Sequence, residues 1–163
     1  MLKKEMLENL TLARIVYAIL ILVWLIVLYT FGGDFIRLPR VLPGIIASKS
    51  ALMIRGFLFQ YVAEIILVWM LIPIHLIIRS VVRGEAFHPR NPKRLRKVAY
   101  GIFLFAVTLP ASIFFSAGQF RWNLLIDLLG LALFIVFFGA VVLMIAEVLS
   151  KGVKLQEDQK LTI

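Results

Sequence analysis

The sequence predicts an all-α, polytopic membrane protein with four transmembrane helices packed as two helical hairpins. Two observations carry this prediction. The 163 residues are 62% hydrophobic and only 17% charged, with a mean hydropathy of +0.99, whereas a soluble domain is roughly 45–50% apolar and about 25% charged. The apolar residues are also gathered into four runs that reach or approach the roughly 20 residues that a helix needs to cross a bilayer.

The four runs define one integral membrane domain over residues 1–163. We expect the spans at about residues 15–31, 56–78, 98–117 and 124–149. The first run is longer than the roughly 7–15 apolar residues of a signal peptide and is followed by no A-x-A-like site, so we predict that it remains as a span. Gly and Pro residues interrupt the segment between the first two spans, and residues 32–55 are predicted to be a long connection.

The basic residues predict how the protein lies in the membrane. Of the 18 Lys and Arg residues, seven lie at residues 79–97, three precede the first span and three follow the last, whereas the other two connections with Arg55 hold five. The richer set faces the cytoplasm by the positive-inside rule. We therefore expect a multi-pass protein of the bacterial cytoplasmic membrane, with a cytoplasmic loop at 79–97, a cytoplasmic tail at 150–163 and both termini inside.

Composition also limits the classes of function. A net charge of +9 and a pI near 10.3 would indicate nucleic-acid binding in a soluble protein. Here the basic residues lie beside spanning segments, so we expect them to contact anionic headgroups at the cytoplasmic face and not to bind nucleic acid directly.

Residues for catalysis or metal binding are not grouped in the sequence. The chain has no Cys, which excludes thiol catalysis and thiolate metal sites, and only two His residues, His75 and His88. It contains no H-E-x-x-H, G-x-S-x-G or phosphate-binding glycine motif. We therefore expect no enzymatic activity, no catalytic or metal-binding residues and no cofactor.

The loop contains signals for a helix end and a helix start. Gly84 is placed to end the second helix, and Asn91 followed by Pro92 is typical of an N-cap and the first residue of the third helix. Four basic residues would then oppose the dipole of the third helix in its first turns: Lys93, Arg94, Arg96 and Lys97. Attraction to anionic lipid explains them, and a surface that docks a partner is the alternative.

The loop and the tail each carry a spaced pattern. In the loop, Gly84 is followed by Phe87, Asn91 and the basic-Leu-basic triplet Arg94-Leu95-Arg96. In the tail, Gly152 and Leu155 lead into acidic residues and a closing Leu161-Thr162-Ile163. In this order the patterns resemble a bacterial membrane family catalogued as domain of unknown function 2975. Lys160 departs from it, because members often have an acidic or polar residue there.

The resemblance implies a four-span protein without assigned chemistry, in a family often encoded beside a very small helix-turn-helix regulator. We therefore expect the loop and tail to bind a protein partner, for which such a regulator is one candidate. A second copy of the chain is another candidate partner. The residues that we expect to contact a partner or lipid are Phe87, Asn91, Arg94, Arg96, Lys97, Leu155 and Leu161.

Polar residues inside the second span form the other candidate site. Gln60, Glu64 and His75 share one face of a helix, and Glu64 lies near mid-membrane, where a charged side chain is costly. One interpretation is a proton or cation relay in a transporter or channel component. The other is a structural role, in which Glu64 hydrogen-bonds Thr108 or Ser112 of a neighbouring helix.

Two further acidic residues and one stripe of small residues concern the packing of the fourth helix. Asp127 lies at a depth similar to that of Arg55, so we predict an ion pair between them, with a solute-facing role for Asp127 as the alternative. Glu147 is expected to be solvated or paired with Lys151. Ala132, Gly139 and Ala146 recur at seven-residue intervals and predict a close approach of a neighbouring helix.

Overall fold

The computed structural model describes residues 2–47, 51–117 and 121–161, and the side chains of 2–14 and of a few later positions in the first two helices and at the end of the last one lie outside that description. Four α-helices make up this part of the chain. They are α1 at Leu2–Ala47, α2 at Ala51–Val82, α3 at Asn91–Ser116 and α4 at Trp122–Leu161. No strand occurs among the described residues, which confirms the all-α prediction.

Each helix contains a segment that is long and apolar enough to cross a membrane. The four segments are Ile15–Gly33, Ile54–Val82, Asn91–Ser116 and Trp122–Gln159. Many of their large apolar side chains are exposed, including Leu22, Val107 and Phe137. An exposed apolar surface of this extent is stable in lipid and not in water. The protein is therefore a four-span, multi-pass membrane protein.

The segment predicted to be a long connection does lie between the first two apolar segments, but it is largely helical and is not interrupted at its Gly and Pro residues. α1 continues from its apolar segment through Pro39 and Pro43 to Ala47. The physical reason is the spacing of the apolar residues, since Phe35, Leu38 and Leu42 recur at the three- and four-residue intervals of a helix. That periodicity outweighed the helix-breaking tendency of the Gly and Pro residues.

The helices pack in the order of the chain. α1 contacts α2, α2 contacts α3 and α3 contacts α4, and the described residues make no contact between other pairs of helices. The first and second pairs of helices, α1–α2 and α3–α4, are the two predicted hairpins, and the most extensive interface, between α2 and α3, joins them. The four helices therefore form an open row and not a closed bundle.

Small residues allow the close approach of α3 to both of its neighbours. Ala99 and Ala106 of α3 are almost fully buried, as is Ala146 of α4. A Cβ added at Gly139 of α4 would lie 2.7 Å from Cε1 of Phe103 on α3. Part of the predicted small-residue stripe, Gly139 with Ala146, thus lies in the α3–α4 interface, where backbones can approach closely.

Candidate functional site

The end of α2 is a Schellman motif, as Gly84 predicted. Gly84 has a φ of 78°, a backbone conformation that glycine adopts without the steric penalty of a Cβ. The Glu85 N–H donates to the carbonyl of Ser80 at 3.0 Å, and the Gly84 N–H donates to the carbonyl of Val81 at 2.9 Å. These two bonds satisfy carbonyl groups that the helix end would otherwise leave open. They turn the chain into the loop at residues 83–90.

Asn91 does not cap α3, so the predicted capping role was wrong. The residue before it, Arg90, occupies the N-cap position without a side-chain hydrogen bond, and Asn91 is already helical. The Asn91 side chain is fully buried. Its Nδ2 group donates to Ser80 Oγ at 3.0 Å, to the Ala86 carbonyl at 3.0 Å and to the Glu85 carbonyl at 3.3 Å. Asn91 therefore joins α2, the loop and α3.

Arg94 completes this buried network. Its Nη1 donates to Asn91 Oδ1 at 2.9 Å and to the carbonyl of Leu76 at 3.3 Å. Ser80, which is also buried, donates from Oγ to the Glu85 carbonyl at 2.7 Å. Buried polar groups that satisfy one another in this way hold a loop in one conformation. Arg94 is thus part of the framework of the loop and not a freely exposed contact residue.

The loop is joined to α4 by one apolar contact and one ion pair. A Cβ added at Gly152 of α4 would lie 3.0 Å from Cε1 of Phe87, so the ring of Phe87 lies directly against the α4 backbone. Val153, the next residue, is buried. Arg96 Nη2 of α3 lies 2.8 Å from Glu147 Oε2 of α4. Glu147 therefore pairs with Arg96 and not with Lys151, while its side chain stays largely exposed, as expected of a solvated residue.

The tail is a helical continuation of α4. α4 runs to Leu161, and every residue from Lys154 to Gln159 is exposed. Leu155 is 64% exposed in this extension. The side chain of Leu161, and the whole of Thr162 and Ile163, lie outside the described residues. The described part of the tail pattern, from Gly152 to Leu161, thus belongs to a projecting helix.

The seven predicted contact residues are therefore divided by the structure. Asn91 and Arg94 lie inside the loop network, and Phe87 and Arg96 join the loop to α4. Lys97 and Leu155 are exposed. Sequence analysis missed Ser80 and Glu147 as partners, because their hydrogen-bonding and ionic partners lie on other elements of the fold. The one available signal was the hydroxyl residue Ser80 in the last turns of α2.

The structure joins only two of the three polar residues in the second span. Gln60 Nε2 donates to Glu64 Oε1 at 3.4 Å, whereas the ring of His75 lies against that of Tyr17 on α1, with 5.6 Å between the ring centroids. Thr108 and Ser112 donate their hydroxyl hydrogen bonds to carbonyls of their own helix. The proposed relay remains a prediction.

Asp127 does not pair with Arg55, so the predicted ion pair was wrong. Both residues are exposed, and α2 and α4 make no contact with each other in the described part of the chain. The open row of helices explains the difference, because α3 lies between the two helices that carry these residues. A shared depth in the membrane does not bring side chains together unless their helices are neighbours.

Metal-ligating side chains are not clustered in the part of the chain that the structure describes. No group of three or more His, Cys, Asp or Glu residues there could hold a metal ion. The polar network at Asn91 consists of amide, hydroxyl, guanidinium and carbonyl groups that satisfy one another. Its chemistry is that of a structural network that positions the loop against α4.

Comparison with known proteins gives one match. A family model described as "Protein of unknown function (DUF2975)" matches residues 11–163. Searches of curated proteins and of solved structures gave no match. The matched range includes all four apolar segments, the loop and the helical extension of α4. On this match the chain belongs to the DUF2975 family of proteins of unknown function.

Proposed function

We propose that the protein is a membrane-embedded docking protein whose loop and α4 extension face the cytoplasm and bind a soluble protein. The docking surface consists of loop residues 83–90, the exposed Lys93 and Lys97 on the first turns of α3, and α4 residues 152–161. One observation carries the proposal: Phe87 packs on Gly152, so that the loop and the extension meet in one continuous surface.

The fixed shape of the docking surface supports this proposal. The loop is held by the buried Asn91 network, and the base of the extension is held by Val153 and the Arg96–Glu147 pair. The extension is already helical before any partner is present. A preorganised surface loses less conformational freedom on binding than a disordered tail does, and more of the contact free energy then appears as affinity.

The exposed chemistry indicates the kind of partner. Lys93 and Lys97 are exposed on the first turns of α3, and Leu155 is exposed on the α4 extension. A protein with an apolar contact point flanked by acidic groups would complement them, since complementary charges favour the correct orientation. The small helix-turn-helix regulator implied by the family resemblance is the first candidate to test.

Site-specific photo-crosslinking in intact cells would test the proposal. A photoreactive amino acid at Leu155 is expected to trap one soluble protein. The matched control is the same substitution at Phe134, which is similarly exposed on α4 but lies within the span predicted at about 124–149, whereas Leu155 lies beyond it. That position is expected to trap lipid or other membrane proteins and not the soluble partner.

A second step separates docking from chance proximity. The trapped partner, once purified, is expected to bind the full-length protein in nanodiscs. Removal of residues 154–163 should weaken that binding at least about tenfold, the effect of losing roughly 1.4 kcal/mol. The cut leaves Phe87, Gly152 and Val153 in place. Failure of Leu155 to trap any soluble protein, or undiminished binding after the truncation, would refute the proposal.

A further inference from the structure

We propose that a cleft beside the loop binds one phosphate-bearing anion. The cleft has a volume of about 290 Å³ and lies between the last turns of α2, the loop and the first turn of α3. We call it the arginine cleft. Its lining residues are Leu76, Arg79, Ser80, Arg83, Glu85, His88, Arg90 and Arg94. Neither the family match nor the docking proposal assigns a ligand to it.

Guanidinium groups dominate the cleft. Four of its eight lining residues are Arg and one is Glu. Arg79, Arg83 and Arg90 form no ion pair with any residue in the described part of the chain. Guanidinium groups bind phosphate with two parallel hydrogen bonds, which gives geometric as well as ionic recognition. Several such groups around one cleft are suited to a phosphate group.

The backbone does not cancel this positive character. A helix C-terminus normally presents open carbonyl groups that repel an anion. At the end of α2 three of the last four carbonyls are engaged, because those of Arg79, Ser80 and Val81 accept loop N–H groups. The carbonyl of Leu76, one turn earlier, accepts a hydrogen bond from Arg94. The free hydrogen-bonding capacity of the cleft is therefore mainly that of its donors.

His88 adds a further donor. Its Nδ1 accepts a hydrogen bond from the Arg90 N–H at 3.1 Å. In a neutral imidazole the nitrogen that accepts is unprotonated, so the proton resides on Nε2, which can donate. The lining thus offers an imidazole N–H as well as guanidinium groups. Arg94 contributes differently, since its Nη1 holds the wall of the cleft together through Asn91 and Leu76.

The size and place of the cleft indicate the scale of the ligand. Its volume lies at the lower limit of small-molecule pockets, which are about 300–1,000 Å³. A phosphate group or a small headgroup is suited to that space better than a nucleotide. Leu76 and Arg79 both lie near the end of the apolar segment of α2, and Arg79 begins the basic stretch. The cleft therefore lies where that segment becomes polar, within reach of a lipid phosphate or a soluble one.

If the basic residues serve only to orient the protein in the membrane, anion binding should depend on them differently than if they form a built site. Orientation depends on the number of basic residues near a span and not on their arrangement. Anion binding should then depend equally on any two basic residues of this region. A built cleft should instead depend on residues that line it and should prefer Arg over Lys at those positions.

Native mass spectrometry of the full-length protein in detergent would test the proposal. The protein is titrated in separate experiments with phosphatidic acid and with inorganic phosphate. We expect one saturable adduct. Arg83→Ala with Arg90→Ala should weaken its formation about tenfold or more, because two sets of charge-assisted hydrogen bonds are lost. Lys93→Ala with Lys97→Ala removes the same charge outside the cleft, and should change it by less than about twofold.

Two further variants keep the test informative if the alanine variants fail to fold. Arg83→Lys with Arg90→Lys keeps the charge, and we expect it to weaken the adduct. Glu85→Gln removes the one carboxylate of the lining, and we expect it to strengthen the adduct. A response to phosphatidic acid alone would assign a lipid headgroup, and a response to both probes would assign a soluble phosphate. Equal losses in the two alanine pairs, or no saturable adduct with either probe, would overturn the proposal.

Discussion

Asn91 Nδ2 donates a hydrogen bond to Ser80 Oγ at 3.0 Å, and this contact ties the first turn of α3 to the last turns of α2. The two residues are buried and lie on either side of the loop that separates their helices. The loop conformation therefore depends on a side-chain contact between helices and not only on its own turns. The consequences can be measured at single residues.

Replacement of Asn91 should loosen the loop. Asn91→Ala removes hydrogen bonds to Ser80 and to the Glu85 and Ala86 carbonyls. Ser80 and the Glu85 carbonyl keep their bond to each other, so the Ala86 carbonyl is the group that loses its partner, at a cost of about 1–3 kcal/mol. We expect a lower melting temperature in detergent and faster tryptic cleavage between Arg79 and Arg94. Val82→Ala, at an exposed position at the end of α2, is the control, because it leaves every Lys and Arg of this region in place. A variant as stable and as resistant to protease as the parent would contradict this role.

Replacement by Ala should lower the stability of the protein at Gly84 and raise it at Gly44. Gly84→Ala places a Cβ at a φ of 78°, which costs about 1–2 kcal/mol. Gly44 lies inside α1 with nothing within 4 Å of an added Cβ, and Gly→Ala inside a helix stabilises by roughly 0.5–1 kcal/mol. Thermal unfolding of the two variants in one detergent would measure both effects. A stabilised Gly84→Ala variant would be inconsistent with the Schellman motif.

Gly139 should tolerate a larger side chain less well than Gly130, which also lies in α4. Gly139→Val brings a side chain against Phe103 and Ile102 of α3, whereas the matched change at Gly130 meets nothing within 4 Å. Overpacking of this kind typically costs about 1–3 kcal/mol. We expect a lower melting temperature for Gly139→Val and little change for Gly130→Val. Equal effects at both positions would argue against the described α3–α4 interface.

The ion pair between Arg96 and Glu147 should contribute little to stability. Their side chains are 42% and 57% exposed and lie 2.8 Å apart, and exposed pairs are typically worth about 0–1 kcal/mol. A double-mutant cycle with Arg96→Ala and Glu147→Ala should give a coupling free energy in that range, decreasing as salt rises. A larger, salt-insensitive coupling would mean that the pair is shielded from water in the membrane-bound protein.

The Glu64→Gln variant distinguishes the docking proposal from the transport alternative. A proton or cation relay requires an ionisable group at this position, so Glu64→Gln should abolish flux in proteoliposomes if the protein is a transporter. If the protein docks a partner, the same variant should bind that partner normally, because Glu64 hydrogen-bonds Gln60 inside α2 and lies away from the loop. Proton flux that is present in the parent and lost in this variant would favour transport.

Sequence analysis predicted the features that depend on composition and local conformation. The four spans follow from apolar runs, and Gly84 ends α2 because a positive φ favours glycine. The small-residue spacing correctly predicted the burial of Gly139 and Ala146 against α3. Each of these features is determined by residues that are neighbours in the sequence or that recur with the period of a helix.

The features that sequence analysis missed depend on which helices become neighbours. Asn91 was predicted to cap its own helix, but its hydrogen bonds reach Ser80 on another helix. Glu147 forms its ion pair with Arg96 on α3 and not with the nearby Lys151. Asp127 and Arg55 have α3 between their helices. The loop contact with Gly152 was likewise not predictable from either segment alone.

The sequential order of helix contacts has a consequence for synthesis. Each helix packs on the helix made immediately before it, so no span has to wait in the membrane for a distant partner, and folding can follow the emergence of the chain. The contact of Phe87 with Gly152 is an exception, because it forms only after α4 has been made. Completion of the docking surface would then coincide with the arrival of the last span, and a partner that binds there would select fully assembled molecules.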